Sequence, residues 1–339
     1  MSTPTRSGII AAGNYIVDQV KIIDEWPAQE SLANILGQKL GNGGGPYNLL
    51  KNLSKLGVDF RRAAAGLIGD DDFGQWIRED LEGLGVDTGH IQTTDAAPTS
   101  FTDVMTLQSS GRRTFFHQRG TNALIDESHI DLSDTSYKIF FLAYLLLLDR
   151  LDELREDGST RFADVLKKAR RAGFKTAVDA VSSTAPAFAQ VVAASLPHID
   201  YLFMNDYEAG RASGKTLVEE DRLDVGAAVD AGRALHARGD LEWIIIHAPE
   251  AAVAIPHEGD PVVQGAVRLP GERIEGATGA GDAFCTGVLY GLHEEHAIDT
   301  CLRTGVCVAA SCLLDSTCSD GILPLDDCLA LGEEYGYRR

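Results

Sequence analysis

The sequence predicts an α/β fold: a three-layer α/β/α domain on a mainly parallel central sheet, with a small β-sheet lid inserted in its N-terminal half. Three observations carry this reading. From residue 139 onward, apolar runs at 139–148, 175–179 and 201–204 read as buried strands, with helices at 161–172 and 186–194 between them. Two earlier sections, within 19–41 and 100–117, read instead as strands of a separate small sheet. The length of 339 residues, 44% hydrophobic and 24% charged, suffices for one large α/β domain plus a small accessory element. The chain is thus read as one domain over 1–339, with a lid of about 15–42 and 98–120.

The elements follow in order. Gly8-Ile9-Ile10-Ala11-Ala12-Gly13 is a short apolar run ending in glycine, a buried first strand. Asp18 comes just past it. It is either a ligand-binding acid at the carboxyl edge of the sheet or a solvated turn aspartate. Residues 20–23 and 32–36 carry the alternating apolar positions of the small sheet. Gly43-Gly44-Gly45-Pro46-Tyr47-Asn48 opens a helix, in which Pro46 suits the first turn, Leu49, Leu50, Leu53 and Leu56 form a face, and Gly57 is the stop. Residues 61–69 are a strand, and Asp70-Asp71-Asp72 reads as the cap of the next helix rather than a metal site. Residues 100–107 and 113–117 form a hairpin around Ser109-Ser110-Gly111, closed by 119–122. The run 139–148 is a strand leading into a turn. Further on, 241–246 is a core strand, 253–256 and 261–268 are hairpin strands, and 300–314 is a small-residue helix.

The densest stretch is Gly276-Ala277-Thr278-Gly279-Ala280-Gly281-Asp282-Ala283-Phe284. Three glycines within six residues permit tight backbone conformations, and a glycine-rich turn opening a helix presents free N–H groups at the positive end of the dipole. Asp282 in the first turn is either a stabilising charge or a general base beside a bound phosphate. The pattern is not a P-loop, because no Gly-x-x-x-x-Gly-Lys-Ser/Thr is present.

This string resembles the C-terminal signature of the ribokinase/PfkB family of carbohydrate and nucleoside kinases. Gly43-Gly44-Gly45-Pro46-Tyr47-Asn48, on a helix ending Leu56-Gly57, is similar to the family's N-terminal signature, and Asn205-Asp206-Tyr207-Glu208 to its Asn-x-x-Glu motif. The resemblance implies a ribokinase-like kinase using ATP and Mg2+. In it Asp282 is the base that takes the proton of the attacking hydroxyl, and the N–H groups of Gly279, Ala280 and Gly281 form the anion hole. Asp18, Gly43, Gly44 and Asn48 would hold the substrate, and Thr278, Asn205 and Glu208 would belong to the cofactor site. Asn205 and Glu208 would order magnesium through water, or form a capping box, since both readings share one geometry. The resemblance also implies a monovalent cation (K+) held with help from a turn equivalent to 316–321, and a homodimer formed through the lid. One departure stands out. The turn after the 241–246 strand reads His247-Ala248-Pro249-Glu250-Ala251-Ala252, without the family's usual glycine.

Bulk properties exclude other classes. A formal charge of -20 leaves no basic stripe for nucleic acid. No run of 18 apolar residues offers a membrane span, and the N-terminal residues lack the apolar core of a signal peptide. The six cysteines, all between Cys285 and Cys328, show no Cys-x-x-Cys spacing and read as reduced, buried hydrophobes of a cytoplasmic protein. The expected function is ATP-dependent phosphorylation of a hydroxyl on a small carbohydrate of the ribose, fructose or keto-deoxy sugar acid class. The alternatives are a nucleoside kinase, with Phe115 and Phe116 touching a base, and a catalytically weak ligand-binding protein on the same fold. A phosphosugar acceptor is less favoured, because a substrate phosphate needs a basic cluster, and only Arg112, Arg113 and Arg119 offer one near the lid.

Overall fold

A computed structural model describes residues 6–220 and 222–338. Residues 1–5, part of the stretch read above as lacking a signal peptide, lie outside it. β1 (Ile9–Gly13) leads into β2 (Ile16–Ile23) and β3 (Ile35–Gly43). Then come α1 (Gly45–Leu56), β4 (Arg62–Gly69), α2 (Asp72–Gly83), β5 (Asp87–Thr94), β6 (Phe101–Leu107) and β7 (Arg113–Gln118). The alternation continues through β8 (Ile139–Leu145), α3 (Asp149–Asp152), α4 (Arg161–Arg171), β9 (Lys175–Ala180), α5 (Phe188–Ser195), β10 (Tyr201–Asn205) and α6 (Asp206–Ser213). The short pair β11 (Val218–Glu219) and β12 (Arg222–Leu223) precedes α7 (Val225–His236). β13 (Trp243–His247), β14 (Ala251–Pro256) and β15 (Val262–Gly265) follow, then α8 (Ala280–His293), α9 (Ile298–Cys312) and α10 (Leu325–Tyr335).

The main sheet runs β15-β14-β13-β10-β9-β8-β1-β4-β5. It is parallel from β13 to β5, with β14 and β15 as an antiparallel edge. Alternate residues of β1 serve opposite layers. Ile9 and Ala11 join the core under α1, α8 and α9, while Ile10 and Ala12 join the core under α4, α5 and α7. The second sheet runs β3-β2-β6-β7. Its register aligns Asp18, Thr102 and His117 in one row and Val20, Val104 and Phe115 in the next.

Local chemistry explains the boundaries. Gly57 ends α1 with φ 77°, its N–H returning to the last turn. Asp71 caps α2 by accepting from the Gly74 N–H at 2.8 Å and also binds the Thr99 N–H at 2.7 Å, so the acid cluster is structural there. Three elements carry no strong sequence pattern. β5 is a largely polar edge strand, α7 is built on small residues that pack without a large apolar face, and α10 begins with two acids at its dipole end. All six cysteines are free and buried. Among the described residues, no helix is long and apolar enough to cross a membrane.

α8 and α9 meet through Gly287 and Gly305. A Cβ at Gly287 would lie 2.8 Å from the Gly305 Cα. Gly287→Val therefore forces the two helices apart, and the expected cost is about 1–3 kcal/mol, read as a lowered Tm. An unchanged Tm would show that the helices are free to separate.

Candidate active site

The site gathers where the carboxyl ends of the central strands meet the start of α8. Gly279 precedes the helix in the left-handed region at φ 79°, and a Cβ there would lie 2.7 Å from the Cys318 backbone, so only glycine fits. Ala280, Gly281 and Asp282 form the first turn. The Ala280 N–H turns back to the Ala277 carbonyl at 3.3 Å.

Two donors from distant segments hold the Asp282 carboxylate. The Asn48 amide on α1 donates to Oδ2 at 2.8 Å, and the Tyr144 hydroxyl at the end of β8 donates to Oδ1 at 2.6 Å. Asn48 is fixed in turn. Its Oδ1 accepts from the Asn42 amide at 2.7 Å, and Asn42 also donates to Ser319 Oγ at 2.8 Å. Burial raises the proton affinity of Asp282, and the Tyr144 and Asn48 hydrogen bonds oppose that rise.

Asp18 faces the same region from β2, within the small sheet rather than in a solvated turn. A Cβ on Gly43 would lie 2.6 Å from its Oδ1, so the glycine leaves this carboxylate room. Gly44, at φ 88°, has no space for a side chain against the Asn14 carbonyl. Burial lifts Asp18 to about 7 despite hydrogen bonds from Thr102 and Cys318. Asp18, Asn42, Arg113, Thr278 and Cys318 line one narrow cavity.

On the other side of Asp282, Asn205 caps α6. Asn205 Oδ1 accepts from the Glu208 N–H at 2.8 Å, and the Asn205 N–H donates to Glu208 Oε2 at 2.8 Å, a complete capping box. The Ser182 hydroxyl also donates to Glu208 Oε1, at 2.8 Å. Burial pushes Glu208 up to about 7. Asp179, at the end of β9, is raised well above the usual carboxylate range by burial and by the charges of Asp282 and Glu208. Among the described residues, no three of His, Cys, Asp and Glu converge as a metal cage.

Asn205, Ala280 and Gly281 border an apolar cleft of about 480 Å³. Here the glycine-less turn contributes His247, Ala248 and Pro249, with Phe284 and Ala309 opposite. His247 packs 5.2 Å from the Phe284 ring, and burial lowers its pKa to about 4, so it is neutral at pH 7.

The structure thus brings Asp18, Gly43, Gly44, Asn48, Thr278, Gly279, Ala280, Gly281 and Asp282 together, with Asn205 on the adjoining cleft and Glu208 buried behind it. Sequence reasoning missed Asp179, Tyr144, Asn42 and Ser182. Asp179 carried a usable signal, an acid at the carboxyl end of a parallel strand. Tyr144 carried none, standing in an apolar run as one more core aromatic.

Over residues 11–324 the chain matches the pfkB family carbohydrate kinases. It belongs to that family and is a carbohydrate kinase, a phosphotransferase with an alcohol group as acceptor. Among its relatives is an ATP-dependent ribose-1-phosphate kinase from Halopiger xanaduensis, 25% identical over 83% of this chain and 83% of the relative. The ribokinase-like fold is shared with Arabidopsis thaliana ribokinase complexed with ribose and ATP, at TM-score 0.77, 20% identity, and 96% and 98% of the two chains. It is shared too with a Burkholderia thailandensis nucleoside kinase in complex with inosine, at TM-score 0.71, 18% identity, and 98% and 100% of the chains.

The crowded carboxylates set a pH dependence. Asp179 has a folded pKa raised above its unfolded value, so the folded state binds the extra proton and stability falls as pH rises past about 4. Asp179→Asn removes that liability. In magnesium-free buffer its Tm should exceed that of the native protein at pH 8, with the gain shrinking toward zero near pH 4. A gain of equal size at both pH values would refute this origin.

Proposed function

We propose that the chain transfers the γ-phosphoryl group of ATP to a hydroxyl of a small sugar, with Asp282 as general base. The observation that carries this is the placement of Asp282. It lies in the first turn of a glycine-opened helix whose Ala280 and Gly281 border an apolar cleft of about 480 Å³, while Thr278, just before that helix, lines the narrow cavity bearing Asp18. In this reading Asp18, Gly43, Gly44 and Asn48 orient the sugar. The acceptor hydroxyl gives its proton to Asp282 as its oxygen attacks the γ-phosphorus and ADP departs. The N–H groups of Gly279 and Gly281 receive charge developing on the transferred phosphoryl oxygens, joined by that of Ala280 once it leaves the Ala277 carbonyl, with Thr278 beside them. The apolar cleft suits the base of the nucleotide, with the alanines of the glycine-less turn against it.

The donor set of Asn205, Glu208 and Asp179 fits magnesium, a hard cation that takes oxygen ligands and keeps several waters. Bound there, it would neutralise phosphate charge. The capping box is compatible with this role, because it holds Asn205 and Glu208 in a fixed pair at a helix start.

Two observations bear on the acceptor. Arg113 lines the Asp18 cavity, its Nη2 donating to the Ser316 carbonyl at 2.8 Å and its Nε buried and unpartnered, whereas Arg119 pairs with Asp149 at 2.9 Å. That favours an acceptor carrying an anionic group, the class named for the Halopiger relative. Phe115 lies in register with Val104, which lines the same cavity, and this leaves a nucleoside as the second reading; Phe116 stacks on Trp26 instead. An ADP-release panel of ribose, fructose, 2-keto-3-deoxygluconate, ribose 1-phosphate and adenosine separates these classes. Asp282→Asn should lower turnover about 10²- to 10⁴-fold while ATP binding persists. Unchanged turnover would remove Asp282 as base.

The small sheet acts in this proposal as a lid over the sugar and as a homodimer interface. Trp26, Leu32, Ile35, Leu36 and Phe116 are exposed on it, Leu32 by 78%. Trp26→Ser combined with Phe116→Ser should convert the dimer to monomer in light scattering. A wild type already monomeric at micromolar concentration would overturn this part.

A further inference from the structure

We propose that Tyr144 is a positioning residue for phosphoryl transfer, its phenol holding the Asp282 carboxylate aimed and anionic toward the acceptor hydroxyl. The inference rests on the reading of Asp282 as base. Tyr144 and Asn48 each bind one carboxylate oxygen, at 2.6 and 2.8 Å, from separate elements. Two donors on two oxygens fix the plane of the carboxylate. Each oxygen still has a second lone-pair direction, so a substrate hydroxyl can be accepted without displacing either donor.

Tyr144 is itself held in place. Its backbone N–H donates to Asn14 Oδ1, and its carbonyl accepts from the Leu147 N–H at 3.3 Å. Asn14, fully buried at the exit of β1, also binds the Ala143 carbonyl and the Leu147 carbonyl, at 2.9 and 3.2 Å. The ring lies over the start of α1, where a Cβ on Gly45 would lie 3.0 Å from Tyr144 Cε1. Gly45 thus gives the ring its seat.

The surroundings make such a donor necessary. Asp18 from β2, Asp179 from β9 and Glu208 from α6 all feel the charge of Asp282 as unfavourable. So do the buried thiols of Cys285, Cys312 and Cys318, which burial keeps protonated. His247 from β13 is neutral, and Arg113 from β7 acts mainly on Asp18 and the thiols. Neutral hydrogen-bond donors are therefore the means of favouring the anion. Burial and the neighbouring Asp282 and Asp179 raise the Tyr144 pKa well above the ordinary value, so the phenol donates its proton and does not lose it.

Tyr144→Phe tests this, because it keeps the ring and removes only the donor. With ATP and D-ribose, or the panel acceptor with higher turnover, kcat should fall about 10- to 100-fold, the scale of one hydrogen bond to a charged group. KM for the acceptor should change little, and the acid limb of the kcat profile should move to higher pH. A lower KM with kcat kept or raised would overturn the proposal, since Tyr144 would then be competing with the acceptor. A second measurement needs no acceptor: Tm of the wild type, Tyr144→Phe, Asp282→Asn and the double variant at pH 5 and pH 8. Tyr144→Phe should lose more at pH 8 than at pH 5, and this excess should vanish in the Asp282→Asn background. Equal losses at both pH values, or an excess that persists in the double variant, would overturn it. Full turnover by Asp282→Asn alone would instead sink the base, and the thermal comparison would still report on the hydrogen bond separately.

Discussion

A buried carboxylate held by donors from two distant segments is the constraint on which the rest of the site depends. Desolvation works against the charge on Asp282, and Asp18, Asp179 and Glu208 add to the difficulty. Among the protein's own groups, oriented dipoles meet this at Asp282. The helix start of α8, the Asn48 amide and the Tyr144 hydroxyl all present positive ends to one point. Such dipoles need no reorganisation when charge moves, which suits a reaction that consists mostly of positioning and charge stabilisation.

Close approach of backbone makes this possible. Gly43 clears Asp18, Gly44 and Gly45 let α1 begin against the ends of β1 and β8, and Gly279 lets α8 begin against Cys318. Each position would bring a Cβ into backbone, a carboxylate or an aromatic ring. The glycines are therefore steric conditions for bringing strand ends and helix starts together, besides being turn formers. The same economy recurs outside the site, where Gly287 and Gly305 let α8 and α9 touch.

The layered architecture, the small sheet and the glycine-marked helix starts were legible because their signals are local: apolar periodicity, caps and residues that need unusual backbone. β5, α7 and α10 were not, since a polar edge strand and small-residue helices give weak periodicity. Within the site, Asp18, Asn48 and Asp282 were marked by motifs. Tyr144 and Asn42 owe their significance to partners 138 and 6 residues away, and only the folded chain reveals which partners those are. The Asn205 and Glu208 pair shows a different limit. The capping box is fully formed, and it uses the same atoms a hydrated cation would need. Local chemistry cannot separate two functions that require one geometry.

The hydrogen bond from Asn48 to Asp282 spans 234 residues, and the contact of the Cys318 thiol with Asp18 spans 300. During synthesis at about 5–20 residues per second, Asn48 leads Asp282 out of the ribosome by roughly 10 to 50 seconds. For that interval the polar face around Asn48 has no carboxylate to hold, and the first segments of the sheet lie without α8 over them. Vectorial synthesis therefore delivers the Asn48 side first and the Asp282 carboxylate late, so that no chain ending before α8 holds that buried cluster together.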